Sequence, residues 1–283
     1  MNPPTERVQG FAEDTYGSVK RVHVFRDWIE QFRPRVQGGP LTLLDYGCGT
    51  GARLTVPLSL RGDRVHGVDV HAPSIDAARA AYQLPNVSFG TESTRELVAA
   101  GRTFDIVVCS EVLEHLHDPG SVLRDFHQLL RPGGELFVTV PNGYGAFENL
   151  KRLEAVMNRV GVGRVAGEIQ WALRAAKWRL KGQGWPSRPR RGRGGDSDGQ
   201  GYLNFDSGHV QFFRERVLAE LFEASGFELL EKRGRTLICG PYVDFFASHL
   251  SLGGRVFELN NRLADRLPLA LSAGWMFRLE KYR

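Results

Sequence analysis

Short apolar runs alternate with amphipathic stretches along the first half of the chain. The apolar runs predict strands at residues 41–45, 64–69, 86–89, 104–109 and 135–140. Apolar positions with helical spacing predict helices at residues 15–32, 73–82 and 122–130. This alternation indicates a parallel sheet covered by helices on both faces. The segment Arg131-Pro132-Gly133-Gly134 predicts a turn into the fifth strand.

The pattern changes after Pro141. Residues 151–181 have helical spacing, and residues 182–201 are rich in Gly, Arg, Pro and Ser, which is typical of a loop. Further on, the chain predicts a helix at 214–225, a strand at 227–231, an apolar helical stretch at 242–267 and a last strand at 275–282, at the sheet edge. We therefore expect an N-terminal helical cap (1–40), a core (41–143), a helical insert with a flexible loop (144–205) and the remainder of the core domain (206–283).

Composition narrows the classes of protein that fit. Of 283 residues, 42% are hydrophobic, which is too many for a disordered chain. No stretch of apolar residues is long enough to span a membrane, and residues 1–10 lack the apolar run of a secretion signal. Three widely spaced cysteines suit neither a disulfide framework nor a zinc site. We expect a cytoplasmic protein without a metal site.

The net charge of +5 is unevenly distributed. Residues 151–195 contain twelve Lys or Arg and two Asp or Glu, whereas the rest of the chain has 25 basic and 30 acidic residues. A mildly acidic body therefore carries a basic insert, and such asymmetry predicts an anionic partner.

The strongest chemical signal is Leu43-Leu44-Asp45-Tyr46-Gly47-Cys48-Gly49-Thr50-Gly51. A strand leads through an acidic residue into a glycine loop, where backbone can approach a ligand closely. Asp45, immediately before this loop, is placed either to meet an ammonium group or to brace the turn. Asp69 follows at the end of the second strand and can accept hydrogen bonds from both ribose hydroxyls of an adenosine. Taken alone, the loop also fits a dinucleotide-binding pattern.

Two further segments distinguish these alternatives: Cys109-Ser110-Glu111-Val112-Leu113-Glu114-His115-Leu116 after the fourth strand, and Leu130-Arg131-Pro132-Gly133-Gly134 before the fifth. Together with the glycine loop they resemble the class I S-adenosylmethionine-dependent methyltransferases, in particular those of ubiquinone and menaquinone biosynthesis. The resemblance covers residues 41–142 and 209–231. It implies an α/β fold with a doubly wound, mostly parallel, Rossmann-like sheet, a helical basic insert after the fifth strand and an antiparallel last strand.

The same resemblance implies S-adenosylmethionine as the cofactor. The glycine loop would wrap its methionine part through Gly47, Cys48, Gly49 and Gly51. Asp45 and the backbone near Cys109 would hold the amino group, and Asp69 would hold the ribose. The adenine would lie near Thr91 and Glu92, where many relatives have an aspartate that this chain lacks.

His115 and Glu111 are the candidate catalytic residues. An alcohol or phenol acceptor must lose a proton when it is methylated, and a histidine just past the carboxyl end of the fourth strand suits that task. The alternative for His115 is a structural role. Glu111 is expected near the transferred methyl group. Cys48 and Cys109 are expected to be small buried residues and not nucleophiles.

The insert carries Trp171 and Trp178 with basic residues around them. This profile is typical of an interfacial helix at an anionic membrane, and it also fits a substrate lid, a dimer surface or an RNA contact. We expect a methyltransferase acting on an oxygen of a small lipid-, quinone-, polyketide- or sugar-linked acceptor, peripheral to the inner face of a membrane. The sequence leaves open whether the protein forms a homodimer.

Three other functions are left as alternatives. An RNA methyltransferase would use the basic insert, but the fourth strand lacks the Asn/Asp-Pro-Pro-aromatic signature and no RNA-binding module is apparent, so nucleic acid is not the expected partner. A nicotinamide-dependent oxidoreductase would use the glycine loop differently. A non-catalytic S-adenosylmethionine-binding protein would keep the fold without turnover.

Overall fold

The computed structural model describes residues 17–36, 38–145, 210–237 and 253–282, with the backbone alone at 253–257. Its strands are β1 (Thr42–Tyr46), β2 (Arg64–Val68), β3 (Val87–Gly90), β4 (Phe104–Ser110), β5 (Leu130–Pro141), β6 (Phe227–Gly234) and β7 (Gly274–Lys281). Its α-helices are α1 (Ser18–Phe32), α2 (Thr55–Ser59), α3 (Ala72–Ala81), α4 (Thr94–Ala99), α5 (Pro119–Leu129), α6 (Glu215–Ala224) and α7 (Gly253–Arg266). Short 3₁₀ helices cover Arg33–Arg35, Leu113–His115 and Leu269–Leu271.

The seven strands form one sheet in the order β3-β2-β1-β4-β5-β7-β6. The pairs among β1 to β5 are parallel, and β7 runs antiparallel to both β5 and β6. The predicted doubly wound α/β sheet with an antiparallel last strand is therefore confirmed. Strand order reverses between β1 and β4, and ligands of open α/β sheets bind at such a point.

The prediction that the last strand lies at the sheet edge is wrong. β7 is inserted between β5 and β6, and six of its eight residues are buried. β6 is the edge strand, and most of its residues are exposed or half-buried. The run Trp275-Met276-Phe277 fits an inner strand because both sheet faces cover it.

Two helices and one strand boundary also differ from the sequence interpretation. The short helices α2 and α4 were not predicted. The segment predicted as a turn, residues 131–134, belongs to β5, whose pairing with β4 shifts register between Phe104 and Ile106. A glycine with φ of +72° at Gly133 lets the strand pass through this irregularity.

The core has a large cluster on each face of the sheet. On one face α5 and α6 bury Phe126 and Phe222 against the strands. On the other face α1 packs Phe25 and Trp28 against Phe137 of β5, with ring centroids 5.4 and 5.2 Å from that of Phe137. The predicted N-terminal helix thus covers the sheet.

Residues 146–205 of the predicted insert lie outside the described residues, as do Thr15 and Tyr16 of the predicted first helix, Cys239, and residues 242–252 of the apolar stretch predicted at 242–267. Every described residue belongs to one of the chain's two compact units, the one formed by residues 1–147 and 205–283. In the described part of the chain, no helix combines the length and the apolar character needed to cross a membrane.

Candidate functional site

The glycine loop follows β1 and turns sharply back over the sheet. Gly47, Gly49 and Gly51 have φ angles of +78°, +55° and +73°, which side chains rarely adopt. Two consecutive amides, of Gly47 and Cys48, donate to the carbonyl of Val68 at 2.8 and 3.0 Å. These bonds fix the loop to the end of β2.

Gly51 and Gly49 have different surroundings. A Cβ on Gly51 would lie 2.4 Å from Cε1 of Phe89, so the close packing of loop and β3 excludes a side chain. A Cβ on Gly49 would meet no atom within 4 Å. The backbone at Gly49 therefore faces open space, where a ligand can approach it.

Asp69 lies directly after β2 and faces the loop. Its Oδ2 accepts a hydrogen bond from the Gly49 amide at 2.8 Å, and its Oδ1 accepts one from the His71 amide at 2.8 Å. The side chain is half-buried, so its remaining lone pairs can accept ligand hydroxyls. Val70, which follows it, is 83% exposed. Sequence reasoning missed Val70, and an apolar residue directly after the ribose acid was the available signal.

Asp45 is buried at the end of β1 and accepts a hydrogen bond from Thr55 Oγ1 at 2.6 Å. Burial raises the pKa of Asp45 to about 6, against the opposing effects of the Thr55 hydrogen bond and the Arg21 charge. Of the two roles open to Asp45, the structure shows the one in which it braces the loop against α2.

The two cysteines of the site are uncharged. Cys109 is fully buried on β4 and Cys48 is partly buried in the glycine loop. Burial, and then nearby carboxylates, raise the pKa of both thiols. Such thiols are poor nucleophiles, as the sequence interpretation expected.

Thr91 and Glu92 follow β3, beside Asp69. Thr91 is exposed. Glu92 folds back over Gly90, and its Oε2 lies 3.7 Å from Nε2 of His66. Ser93 then begins α4 with a capping box, since its hydroxyl accepts from the Glu96 amide. The Glu92 carboxylate thus lies against β2 in this structure.

The loop after β4 carries the candidate catalytic residues. Glu111 has a φ of +58°, and it is the one non-glycine residue with positive φ in the described ranges. This conformation costs an L-residue about 1–2 kcal/mol. Its amide donates to the Thr139 carbonyl at 2.9 Å, Thr139 Oγ1 donates to its Oε1 at 2.8 Å, and Arg235 forms an ion pair with its Oε2.

Arg235 and Arg21 keep Glu111 ionised. Burial alone would raise the pKa of Glu111, but the charges of Arg235 and Arg21 and the Thr139 hydrogen bond outweigh it, so this pKa lies below its ordinary value. Both guanidiniums are themselves buried. Sequence reasoning missed Arg21, Thr139 and Arg235, because no local pattern connects them to Glu111.

Glu114 and His115 lie one turn further along the same loop. Glu114 is 1% exposed, and burial, followed by the nearby charge of Glu111, raises its pKa well above the ordinary value. The side chain of His115 is 33% exposed, with Nε2 4.0 Å from Glu114 Oε1. The amides of Val210 and Gln211 donate to the Glu114 carbonyl at 2.9 and 3.0 Å, which fixes the loop's backbone.

These elements meet at one edge of the sheet. β2, β1 and β4 are neighbours, and their carboxyl ends carry Asp69, the glycine loop and the His115 loop. A Cβ on Gly47 would lie 2.3 Å from Val112 Cγ2, so the glycine loop and the β4 loop pack directly together. The structure therefore brings the predicted cofactor residues and His115 to a common site. The described residues contain no cluster of His, Cys, Asp or Glu suited to a metal ion.

The fold and site are those of a class I methyltransferase that uses S-adenosylmethionine. Residues 19–232 match the family model described as a methyltransferase domain, and the chain belongs to this family. The open backbone at Gly49, the half-buried Asp69 carboxylate and the exposed Val70 fit a nucleoside cofactor at this edge. The family match favours S-adenosylmethionine over a nicotinamide dinucleotide as the cofactor.

Two curated relatives share one activity name. The chain is 40% identical over 105 residues to a ubiquinone biosynthesis O-methyltransferase of Caulobacter vibrioides, covering 36% of this chain and 41% of that protein. It is 39% identical over 152 residues to the protein of the same name in a Methylobacterium species, covering 48% and 61%. The chain thus spans about half the length of the curated relatives it matches.

Solved structures support the fold. Magnesium protoporphyrin IX methyltransferase of Synechocystis PCC 6803, solved with S-adenosylhomocysteine, aligns with a TM-score of 0.53 at 12% identity, over 97% of this chain and 91% of that one. The [4+2]-cyclase SpnF aligns with a TM-score of 0.50 at 16% identity, over 97% and 86%. Since a cyclase shares the fold, the acceptor chemistry must be argued from the site.

Proposed function

We propose that this methyltransferase transfers a methyl group to an oxygen of a small-molecule acceptor, a phenol related to quinone precursors, with His115 as the general base. One observation carries the proposal: a partly exposed imidazole lies on the β4 loop, which packs against the glycine loop. The O-methyltransferase names of the relatives support oxygen as the methylated atom.

When bound, the cofactor would supply an electrophilic methyl group on a sulfonium, and its sulfur would leave as a neutral thioether when the methyl–sulfur bond breaks. The chain's own residues must align the acceptor oxygen with that methyl and exclude water. His115 takes the proton from the acceptor hydroxyl as the oxygen forms its new bond. A phenol is acidic enough for a base of near-neutral pKa to serve, and general base catalysis of this kind contributes about 10²–10⁴-fold in rate.

Cofactor residues follow the same geometry. Asp69 would accept hydrogen bonds from the ribose hydroxyls, and the backbone around Gly49 would lie along the methionine part. Asp45 and the backbone near Cys109 would hold the amino group. Val70 offers an exposed apolar surface to the adenine, next to Thr91 and Glu92.

The test is methyl transfer from S-adenosylmethionine to a 4-alkylcatechol probe, such as 4-hexylcatechol. His115→Ala should lower kcat by 10²-fold or more and leave the calorimetric Kd for S-adenosylmethionine within about threefold. His117→Ala is the matched control, since this exposed histidine lies two positions further on. Equal turnover in His115→Ala and wild type would assign His115 a structural role. Cofactor binding without transfer to any hydroxyl acceptor would favour the non-catalytic alternative.

The basic insert supports a second, separable proposal, peripheral contact with an anionic membrane surface. The insert has twelve Lys or Arg residues and two acidic ones. Each basic residue near such a surface would add about 1 kcal/mol to the free energy of membrane binding. Sedimentation with anionic and with neutral vesicles at two salt concentrations tests it. Binding to neither vesicle type would leave the lid and dimer-surface alternatives. Salt-sensitive binding to RNA alone would revive the nucleic-acid alternative.

A further inference from the structure

We propose that Arg235 is a positioning residue for methyl transfer, because its ion pair with Glu111 holds that carboxylate in place beside the acceptor. Arg21 of the N-terminal helix supports the same carboxylate through Ser110 and Thr139. The inference rests on the proposed function, which places the acceptor next to His115. Neither arginine belongs to a recognisable sequence motif of the site.

The backbone of Glu111 needs such support. Its left-handed conformation is unfavourable for a residue with a side chain, and such strain persists only where the surroundings impose it. Thr139 of β5 binds Glu111 at both ends, through its carbonyl and its hydroxyl. Arg235, directly after β6, holds the other carboxylate oxygen. Thr139 and Arg235, from β5 and the end of β6, thus fix the carboxylate of Glu111, which itself follows β4.

The hydrogen-bond chain from Arg21 has one consistent direction. Arg21 Nη1 can only donate, and it does so to Ser110 Oγ at 2.8 Å. At the other end, an ionised Glu111 can only accept the Thr139 hydroxyl. The 2.7 Å bond between the two hydroxyls must then run from Ser110 to Thr139. Every donor points toward Glu111, and the positive charge of Arg21 polarises the chain in the same sense.

The exposed fractions of the Glu111 and Arg235 side chains indicate which of them the methyl acceptor can reach. The Glu111 side chain is 28% exposed, whereas that of Arg235 is 4% exposed. A methyl acceptor can therefore reach the Glu111 side chain, whose carboxylate can accept a hydrogen bond from its hydroxyl, whereas the Arg235 guanidinium acts from behind. The charged groups facing Glu111 are Arg235 after β6, Arg21 on α1 and Glu114 on its own loop.

Loss of Arg235 should change the protonation of Glu111. Without this counter-charge, burial is the largest remaining influence on the pKa of Glu111, and that pKa should rise. A protonated Glu111 carboxyl would donate a hydrogen bond at the oxygen that must accept one from the substrate hydroxyl. Raising the pH should ionise it again and restore part of the activity.

The experiment compares Arg235→Met with wild type in methyl transfer to 4-hexylcatechol between pH 6 and pH 9. We expect kcat/KM for the catechol to fall at least tenfold at pH 7 and to recover partly toward pH 9, with the Kd for S-adenosylmethionine within about threefold. Glu111→Gln should lose activity without that recovery, and the double variant should be no worse than Glu111→Gln. Arg233→Met, an ion-paired arginine two positions earlier on β6, should behave as wild type.

Three results would overturn the inference: a loss that does not depend on pH, effects of the two changes that multiply, or full activity in Arg235→Met. Arg235→Lys keeps a positive charge and covers the case in which Arg235→Met fails to fold. The kcat/KM of Arg235→Lys should be at least tenfold higher than that of Arg235→Met. Where Arg235→Met does not fold, Arg235→Gln takes its place in this comparison. Equal losses would contradict the inference.

A wild type that binds S-adenosylmethionine but methylates no catechol would refute the proposed function without deciding the role of Arg235. The ion pair is then tested by carboxyl NMR on protein labelled at glutamate, with the Glu111 signal identified by its absence in Glu111→Gln. Arg235→Met should move the Glu111 titration to higher pH, and Arg233→Met should not. The same midpoint in wild type and Arg235→Met would overturn the inference.

Discussion

Asp45→Asn should stabilise the protein at neutral pH while weakening its cofactor site. The carboxyl has a pKa of about 6 in the folded protein, against an ordinary value of 3.8, and burial is the cause. An asparagine keeps an oxygen for the Thr55 hydroxyl but cannot ionise. The variant therefore avoids placing a charge in this buried position.

The sign and size follow from proton linkage. Because the folded state binds this proton more tightly than the unfolded state, the contribution of Asp45 to stability is fully present below about pH 4 and is lost as the pH rises through about 6. The difference between the two pKa values corresponds to about 3 kcal/mol. At about 2 °C per kcal/mol for a chain of this size, the gain in Tm of the variant above pH 6 is about 6 °C.

Urea unfolding and thermal melts at intervals from pH 4 to pH 8 provide the assay. The stability difference between Asp45→Asn and wild type should grow by about 2.4 kcal/mol across this range, of which about 2 kcal/mol falls between pH 4 and pH 6. Asp76→Asn, at an exposed position on α3, is the control. A stability difference that stays constant with pH would refute the argument from burial.

The same variant separates the two roles left open for Asp45. If the carboxylate meets the ammonium group of the cofactor, S-adenosylmethionine should bind wild type about tenfold more tightly at pH 7 than at pH 5, since each pKa unit corresponds to a factor of ten. Asp45→Asn should then show weaker binding with no such change. Affinities that do not depend on pH in either protein would limit Asp45 to bracing the loop.

Four further substitutions test the site and the core. Asp69→Ala should raise the calorimetric Kd for S-adenosylmethionine by about 10–100-fold, since a hydrogen bond to a charged group contributes about 1.5–3 kcal/mol. Gly51→Ala should lower the cofactor-free Tm, because its Cβ would overlap Phe89 and the left-handed backbone costs about 1–2 kcal/mol. Gly49→Ala, which meets no neighbouring atom, should lower the Tm less and act mainly on cofactor affinity. Phe137→Ala should cost about 3–5 kcal/mol in urea unfolding and leave the cofactor Kd of the folded protein unchanged.

The sheet was predictable because its strands are buried on both faces and read as short apolar runs. The place of β7 was not deduced, although Trp275-Met276-Phe277 is more continuous than an edge strand requires. The helix α4 was missed despite the signal of Ser93 followed by Glu96, which is a capping box. With six residues, α4 is too short for apolar spacing to indicate a helix, so these polar residues are its main signal in the sequence.

The predicted cofactor residues lie together because they follow neighbouring strands, whose carboxyl ends share one edge. The groups around Glu111 were not predicted. Arg21 lies 89 positions before the Ser110 hydroxyl it binds, and as a helical arginine it has the sequence appearance of a surface residue. Only the packing of α1 and the return of the chain after β6 bring Arg21 and Arg235 to one carboxylate.

The parallel strands begin at one edge of the sheet, the amino edge, and end at the opposite, carboxyl edge. The buried carboxyl groups at these two edges have different surroundings. At the amino edge, Asp63 accepts the Leu41 amide at 2.9 Å and pairs with Arg33 at 2.7 Å. Asp105 there accepts from Thr42 and pairs with Arg131, both at 2.7 Å. These carboxylates have the partners that a buried charge requires, and they contribute to the fold alone.

At the carboxyl edge the arrangement is costly. Burial disfavours the ionised forms of Asp45 and Glu114, and Glu111 has a strained backbone. A fold selected for stability alone would replace such groups, as the expected gain in Asp45→Asn illustrates. Strained residues and shifted pKa values cluster where chemistry takes place. Burial also raises the pKa of Glu135 at the amino edge, but Arg278 and Arg35 pair with that carboxyl. The strained backbone of Glu111 together with the shifted pKa values of Asp45 and Glu114 supports the proposed site at the carboxyl edge without resemblance to any relative.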